Sequence, residues 1–506
     1  KSSRKLLHLL SASALSLLTA ASVSAADRTA VASGSWNDSI WGANGTAGAG
    51  TAAIPGSRDN AYIKGAQSVT IVGFTANISA VAVGRTNATL ATLTIGDGTG
   101  SAESSVLNAT KWVRLGNGTN MKGLLVVKAD GLLSVTGNNI DIGSDGGGTG
   151  NITLDGGKLR MSGGSTYRIN IGNCTNATLD GGAGASGSLF ANGATLEMNN
   201  SSIMIGNGVS NGGTASANFI NSKVEGAYVI TVGNVSTATT SALHAENSTL
   251  QLHNDFRVNG EGTAPGHAEF HNSTVTLGAG SSGSRKLLIA SNGGTATLSL
   301  FNSTFTVNDT NGEYLILGNA TNSNPNNITV NFDATSYIKL ARSDANGRAE
   351  FRTNSGSITL NIALGASRAL GLAGETGESL GRGVLFAQRG IDYATASSGA
   401  DAILNVDVSA FAESFTGTLK IALFTSGVAT TNNTKAQNAT TFTASLVGDS
   451  SLIDEAASTF GWEQDNGLWK YVLTLEAAAV PEPATTALFL AALGLSALAL
   501  RRRTLR

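Results

Sequence analysis

The sequence predicts an all-β protein: a right-handed parallel β-helix of about ten coils, then a β-rich C-terminal region and one C-terminal transmembrane helix. Three observations carry that reading. Short apolar-x-apolar segments closed by glycine return at Val81-Ala82-Val83-Gly84, Val113-Arg114-Leu115-Gly116, Ile140-Asp141-Ile142-Gly143, Ile169-Asn170-Ile171-Gly172, Ile203-Met204-Ile205-Gly206, Ile230-Thr231-Val232-Gly233 and Leu315-Ile316-Leu317-Gly318. With Phe256-Arg257-Val258-Asn259 as a degenerate copy and Leu287-Leu288-Ile289-Ala290 in phase, the spacing is roughly 26 to 34 residues, which signals stacked repeats. A second segment recurs as Asn247-Ser248-Thr249, Asn272-Ser273-Thr274 and Asn302-Ser303-Thr304, each opening a short alternating run. Finally, 64 glycines against 5 prolines, with 13% charged residues, supply turns without the composition of a disordered chain.

The alternation assigns faces. Ala217/Phe219, Leu243/Ala245, Ala268/Phe270 and Leu298/Leu300 fall on one set of positions, and Asn218/Ile220, His244/Glu246, Glu269/His271 and Ser299/Phe301 on the other. A period of two puts the first set inside and most of the second outside. Each repeat then supplies three strands and three turns, and ten coils rising about 4.8 Å each give a rod roughly 50 Å long. The anchor glycines suit turns with positive φ, and the Asn of Asn-Ser-Thr suits the same turn or a stacked amide ladder.

The predicted organisation is a signal peptide at 1–25, an N-terminal cap and linker at 26–60, repeats at 61–365, a β-rich cap or small sandwich at 366–479, and a sorting tail at 480–506. The first segment joins a basic start (Lys1, Arg4, Lys5), an apolar stretch and small residues, with cleavage expected after Ala25 or Ala26. Trp36 and Trp41 suit a cap that covers the open end of the solenoid; sugar stacking is the alternative. Asn-x-Ser/Thr sequons, among them Asn77, Asn117, Asn151, Asn234, Asn247, Asn272, Asn302 and Asn319, track the turns and read as turn chemistry before they read as glycan acceptors.

A net charge of −2 recommends no nucleic-acid partner. The single cysteine, Cys174, excludes an intrachain disulfide and reads as a small buried or turn residue. Asp141, Asp155 and Asp180 each lie beside glycine-rich turns, where Asp belongs on conformational grounds, so catalysis is not expected. The Gly143–Gly150 stretch resembles a calcium-binding β-roll repeat, but as one irregular copy. No cofactor or metal is expected. One surface constellation stands out: His244, Glu246, Glu269 and His271 form a two-by-two square on adjacent coils. Exposed cross-strand charge pairs are the favoured reading, and a metal or glycan site the alternative.

Val480-Pro481-Glu482-Pro483 precedes an apolar run over 484–500 and then Arg501, Arg502 and Arg503. The run sits at the lower limit for a membrane helix, and the arginines predict a cytoplasmic C-terminus. This three-part tail resembles the PEP-CTERM sorting signal of Gram-negative bacteria, over 480–506. The resemblance implies recognition by an exosortase-type membrane protease, anchoring in the inner membrane through the C-terminal helix before processing, and delivery to the cell surface or extracellular matrix. The abundant sequons and scarce cysteine also resemble that family. The repeats resemble autotransporter-passenger β-helices, although no separate β-barrel translocator is expected. The functional expectation is an exported, non-catalytic structural or adhesive protein, with exopolysaccharide or other surface glycans as partners. The alternatives are a polysaccharide lyase or hydrolase on a β-helix and a permanently tethered binding module.

Overall fold

The computed structural model describes residues 25–43, 53–85, 88–144, 147–173, 184–207, 213–233, 240–259, 265–278, 285–291, 293–308, 313–318, 326–340, 347–353, 356–365, 383–387, 390–395, 401–412, 414–426, 442–465 and 468–479, with 491–493, 495 and 501. Among the described residues, three sheets hold fourteen strands each, and from Asn60 to Ser426 successive strands belong to sheets I, II and III in turn. The fold is a parallel β-helix.

Sheet I collects the anchors in register: Val81 pairs with Val113, Val113 with Ile140, Ile140 with Ile169, Ile169 with Ile203 and Ile203 with Ile230. The degenerate copy keeps the ladder, since Ile230 pairs with Phe256, Phe256 with Leu287 and Leu287 with Leu315. Sheet II stacks the alternating segments, with Ala217 on Leu243, Leu243 on Ala268 and Ala268 on Leu298. Sheet III stacks Thr249–Leu252, Thr274–Leu277 and Thr304–Val307. The eight residues assigned inside are all fully buried. Phe256, Phe270 and Phe305, one from each sheet, meet edge-to-face with ring centroids 5.0 to 5.7 Å apart. That geometry favours aromatic pairs beyond the area they bury, and it places the core on the solenoid axis.

Sheet I departs from simple alternation. Its middle positions point away from the axis, yet Ala82, Asp141, Asn170, Met204, Thr231, Leu288 and Glu350 are buried. Much of the outer face of this sheet is therefore buried as well, with Arg114 and Arg257 left partly exposed, which the apolar-x-apolar pattern alone does not reveal.

The turns obey backbone sterics. Asn221, Asn247, Asn272 and Asn302 hold φ of 48 to 50° at successive coils, the left-handed region that Asn tolerates best after glycine. Gly143 has φ 64°, and a Cβ there would lie 1.9 Å from the Ser186 carbonyl oxygen. Below the Asn column runs a serine column. The backbone N–H of Ser222, Ser248, Ser273 and Ser303 donates to the hydroxyl of Ser248, Ser273, Ser303 and Ser336 respectively, at 2.9 to 3.1 Å. The Ser248, Ser273 and Ser303 hydroxyls in turn donate to Glu246, His271 and Phe301 carbonyls at 2.8 Å.

Parallel stacking continues beyond residue 365. Ile338 pairs with Leu385, Arg348 with Gly390, Ser357 with Asp401 and Ala402 with Phe442, so twelve complete three-strand coils span Asn60 to Ser426. At about 4.8 Å per coil the rod is about 60 Å long. The period fades from the sequence because the connections lengthen: Leu385 follows its ladder partner Ile338 by 47 residues, whereas Tyr337 follows Thr304 by 33. The C-terminal region is thus continuous with the solenoid rather than a sandwich apart from it. It closes with antiparallel strands, Leu468–Ala477 pairing with Thr418–Ser426 on one side and Ile453–Asp465 on the other. Phe442 and Tyr471, 5.5 Å apart, plug this end with Phe424 and Trp462.

At the opposite end Trp41–Ala43 pairs antiparallel with Asp27–Ala30. Trp36 and Trp41 are buried and meet edge-to-face at 4.8 Å, and the Trp41 indole N–H donates to the Trp36 carbonyl at 2.8 Å. They close the solenoid and offer no face to a sugar.

Candidate functional site

The square of charged residues is assembled as alternation requires. In sheet II, His244 pairs with Glu269 and Glu246 with His271 across adjacent coils, on strands whose intervening residues fill the core. All four side chains are partly exposed. His271 donates from Nε2 to Glu269 Oε1. His244 Nε2 lies 3.9 Å from Glu246 Oε2, and the His244 and His271 rings are 5.4 Å apart. Ligand atoms of His244, Glu269 and His271 all lie within 4.8 Å of one another.

The structure adds two residues that the sequence reading left out. His267 shares the outward face of Gly266–His271, and its Nε2 lies 3.3 Å from Glu269 Oε2. The signal was present, since His267-Ala268-Glu269-Phe270-His271 alternates with period two, but the neighbouring coils place Ala242 and Thr297 at the His267 position, so no polar repeat marks it. Phe301, on the next coil, stacks on His271 with centroids 4.6 Å apart and planes inclined by 21°. The hydrogen bond from His271 holds the Glu269 carboxyl below its ordinary range; burial pushes the other way, and the bond from His267 adds to the lowering.

The other sequence candidates disperse. Asp141 is buried in sheet I, accepts a hydrogen bond from the Asn170 amide at 2.8 Å and lies 3.4 Å from Arg114 Nε. Asp155 is exposed at a strand end. Asp180 and Cys174 lie outside the described residues, as do Asn234 and Asn319. In the glycine-rich stretch, Gly143 and Gly147 take positive φ, as turns demand. The three Asn-Ser-Thr asparagines hold positive φ, and the Asn302 amide donates to the Asn272 carbonyl oxygen at 2.8 Å. Turn and ladder roles thus coincide at Asn272 and Asn302.

The two expected processing regions bracket the rod. Residues 1–24 lie outside the described residues. Ala26 is tied to the start of the first complete coil: its N–H donates to Asp59 Oδ1 at 3.0 Å and its carbonyl accepts from the Asn60 N–H at 2.9 Å. At the other end, Val480, Pro481, Glu482, Pro483, Arg502 and Arg503 also lie outside the described residues, as does most of the apolar run; Ala491, Ala492, Leu493, Leu495 and Arg501 are helical. Among the described residues no helix is long and apolar enough to cross a membrane.

The family comparison decides what the tail is. Residues 479–503 match the model of the PEP-CTERM protein-sorting motif. The tail is a PEP-CTERM sorting signal. No curated protein and no solved structure matches the chain. The PEP-CTERM signal marks an exported protein that is anchored in a membrane before exosortase processes it. Pro481, Glu482, Pro483 and Arg501 to Arg503 fall within the matched stretch, and the solenoid lies wholly N-terminal to it.

Proposed function

We propose that the protein is a non-catalytic structural or adhesive rod, displayed at the surface or in the extracellular matrix of a Gram-negative bacterium after exosortase releases it. The observation that carries this reading is the outer face of sheet II near the C-terminal end. There Asn331 donates to Ser299 at 2.8 Å, Asn361 to Asn331 at 2.8 Å, Asn405 to Asn361 at 3.0 Å, and Ser445 to Asn405 at 3.1 Å. A neutral polar ladder of this kind spends its hydrogen bonds on its own neighbours and presents a regular strip. Hydrolase and lyase chemistry needs convergent carboxylates, or a base beside a polarised substrate. The buried, paired state of Asp141 supports the non-catalytic reading. Surface polysaccharides match the strip's neutral hydroxyl and amide chemistry.

The test is to incubate the full chain with polysaccharide from the source organism's matrix. Co-sedimentation with an unchanged polymer size distribution supports the proposal. A fall in polymer size, or new reducing or unsaturated ends, would assign the protein to the lyases or hydrolases instead.

A further inference from the structure

We propose that His244, Glu269 and His271 form a site for a divalent first-row transition ion of the zinc class, with His267 and Phe301 as its supports. The sheet holds the three ligand groups on two adjacent coils, with their donor atoms already within 4.8 Å of one another. Two imidazoles and one carboxylate are a donor set that such ions favour over calcium or magnesium, which prefer oxygen alone.

Charge favours the same conclusion. The outward residues on these two strands and on the neighbouring Thr214–Ile220 and Gly294–Phe301 strands include Ser216, Asn218, Thr297 and Ser299, but no lysine or arginine. With neutral imidazoles, Glu246 and Glu269 therefore bring two negative charges to the patch, and a dication balances them. The surroundings also meet the demand that metal ligands be oriented by further contacts. His267 engages Glu269 Oε2 while His271 engages Oε1, and Phe301 fixes the plane of the His271 ring from one side. An ion between His271 and Glu269 takes the place of the proton that joins them now. Three protein ligands leave at least one coordination position to solvent or to a partner's oxygen.

Titration calorimetry of the full chain with Zn²⁺ tests the site. One equivalent should bind with a Kd in the micromolar range or below. The paired substitution His244→Ala/His271→Ala should abolish that binding, and His267→Ala should weaken it about tenfold or more. His253→Ala, on a separate face, should leave it unchanged. All these side chains lie on the outside of the ladder, so an unchanged far-ultraviolet dichroism spectrum and melting temperature separate loss of a ligand from loss of the fold. Co²⁺ in place of Zn²⁺ should give visible absorption bands that vanish in the paired variant. Failure of Zn²⁺ to bind at micromolar protein, or binding that survives the paired substitution, overturns the proposal.

Discussion

The Asn302 side-chain amide donates to the Asn272 side-chain oxygen, 2.8 Å away and one coil below, and both residues hold φ of 48°. One residue type thus serves two needs: it adopts a backbone conformation that other side chains resist, and it binds its own counterpart on the next coil. Left-handed backbone costs a β-carbon-bearing residue roughly 1–2 kcal/mol, and Asn offsets part of this through local hydrogen bonding. Asn272→Ala should therefore destabilise its coil by about 1 kcal/mol, Asn272→Val by more, and Asn272→Gly by less than either. Hydrogen exchange of the coil's amides measures the order. Equal effects of Ala and Gly would show that the turn does not govern this position.

The serine column makes a sharper demand. Ser273→Ala removes the hydroxyl that accepts from the buried Ser248 N–H. An orphaned buried donor costs about 1–3 kcal/mol, so Ser273→Ala should destabilise the rod more than alanine at an exposed serine such as Ser445. Denaturant midpoints of the two variants test this; comparable midpoints would mean that the column is incidental.

Asp130 predicts an acid limb in stability. It is buried, and burial pushes its carboxyl up from the ordinary 3.8, but the Gly98 backbone N–H at 2.7 Å and the Ser105 hydroxyl at 2.9 Å outweigh burial and leave it lowered. A carboxyl lowered in the folded state contributes stability that is fully present above its unfolded value and is lost as pH falls through the folded value. Loss from this group should begin near pH 4 and continue below it. Asp130→Asn should lower stability at pH 7 and flatten the decline below pH 4. Parallel pH profiles of the two proteins would contradict the assignment.

The contact between Ala26 and Asp59 predicts where the signal peptide is cut. Cleavage after Ala25 leaves the new α-ammonium of Ala26 beside the Asp59 carboxylate, converting a neutral hydrogen bond into a charge-assisted one. Cleavage after Ala26 instead deletes the carbonyl that accepts from Asn60. The exported protein should begin at Ala26 by N-terminal sequencing; a start at Asp27 would show that the peptidase ignores this docking.

Much of the solenoid was legible because period two and period thirty reinforce each other. Even Phe256-Arg257-Val258 found its place by phase alone, its phenylalanine filling the core where Ile230 and Leu287 stand in the neighbouring coils. Legibility failed where one coil's connection grew, as between Ile338 and Leu385, because spacing rather than composition had defined the repeat. It failed again at Asp141 and Thr231, which alternation turns outward but which are buried. The square of histidines and glutamates followed from register. His267 did not, because it occupies a position that neighbouring coils fill with Ala242 and Thr297, so no repeat of like chemistry marks it.

If the PEP-CTERM tail delivers and then releases the rod, intact-mass analysis of membrane and matrix fractions from the source organism will show the cut. The matrix form should lack both the N-terminal signal and everything beyond the Pro481-Glu482-Pro483 region. A protein that keeps Arg501 to Arg506 and occurs only in membranes would contradict it, and would leave the tail as a permanent anchor.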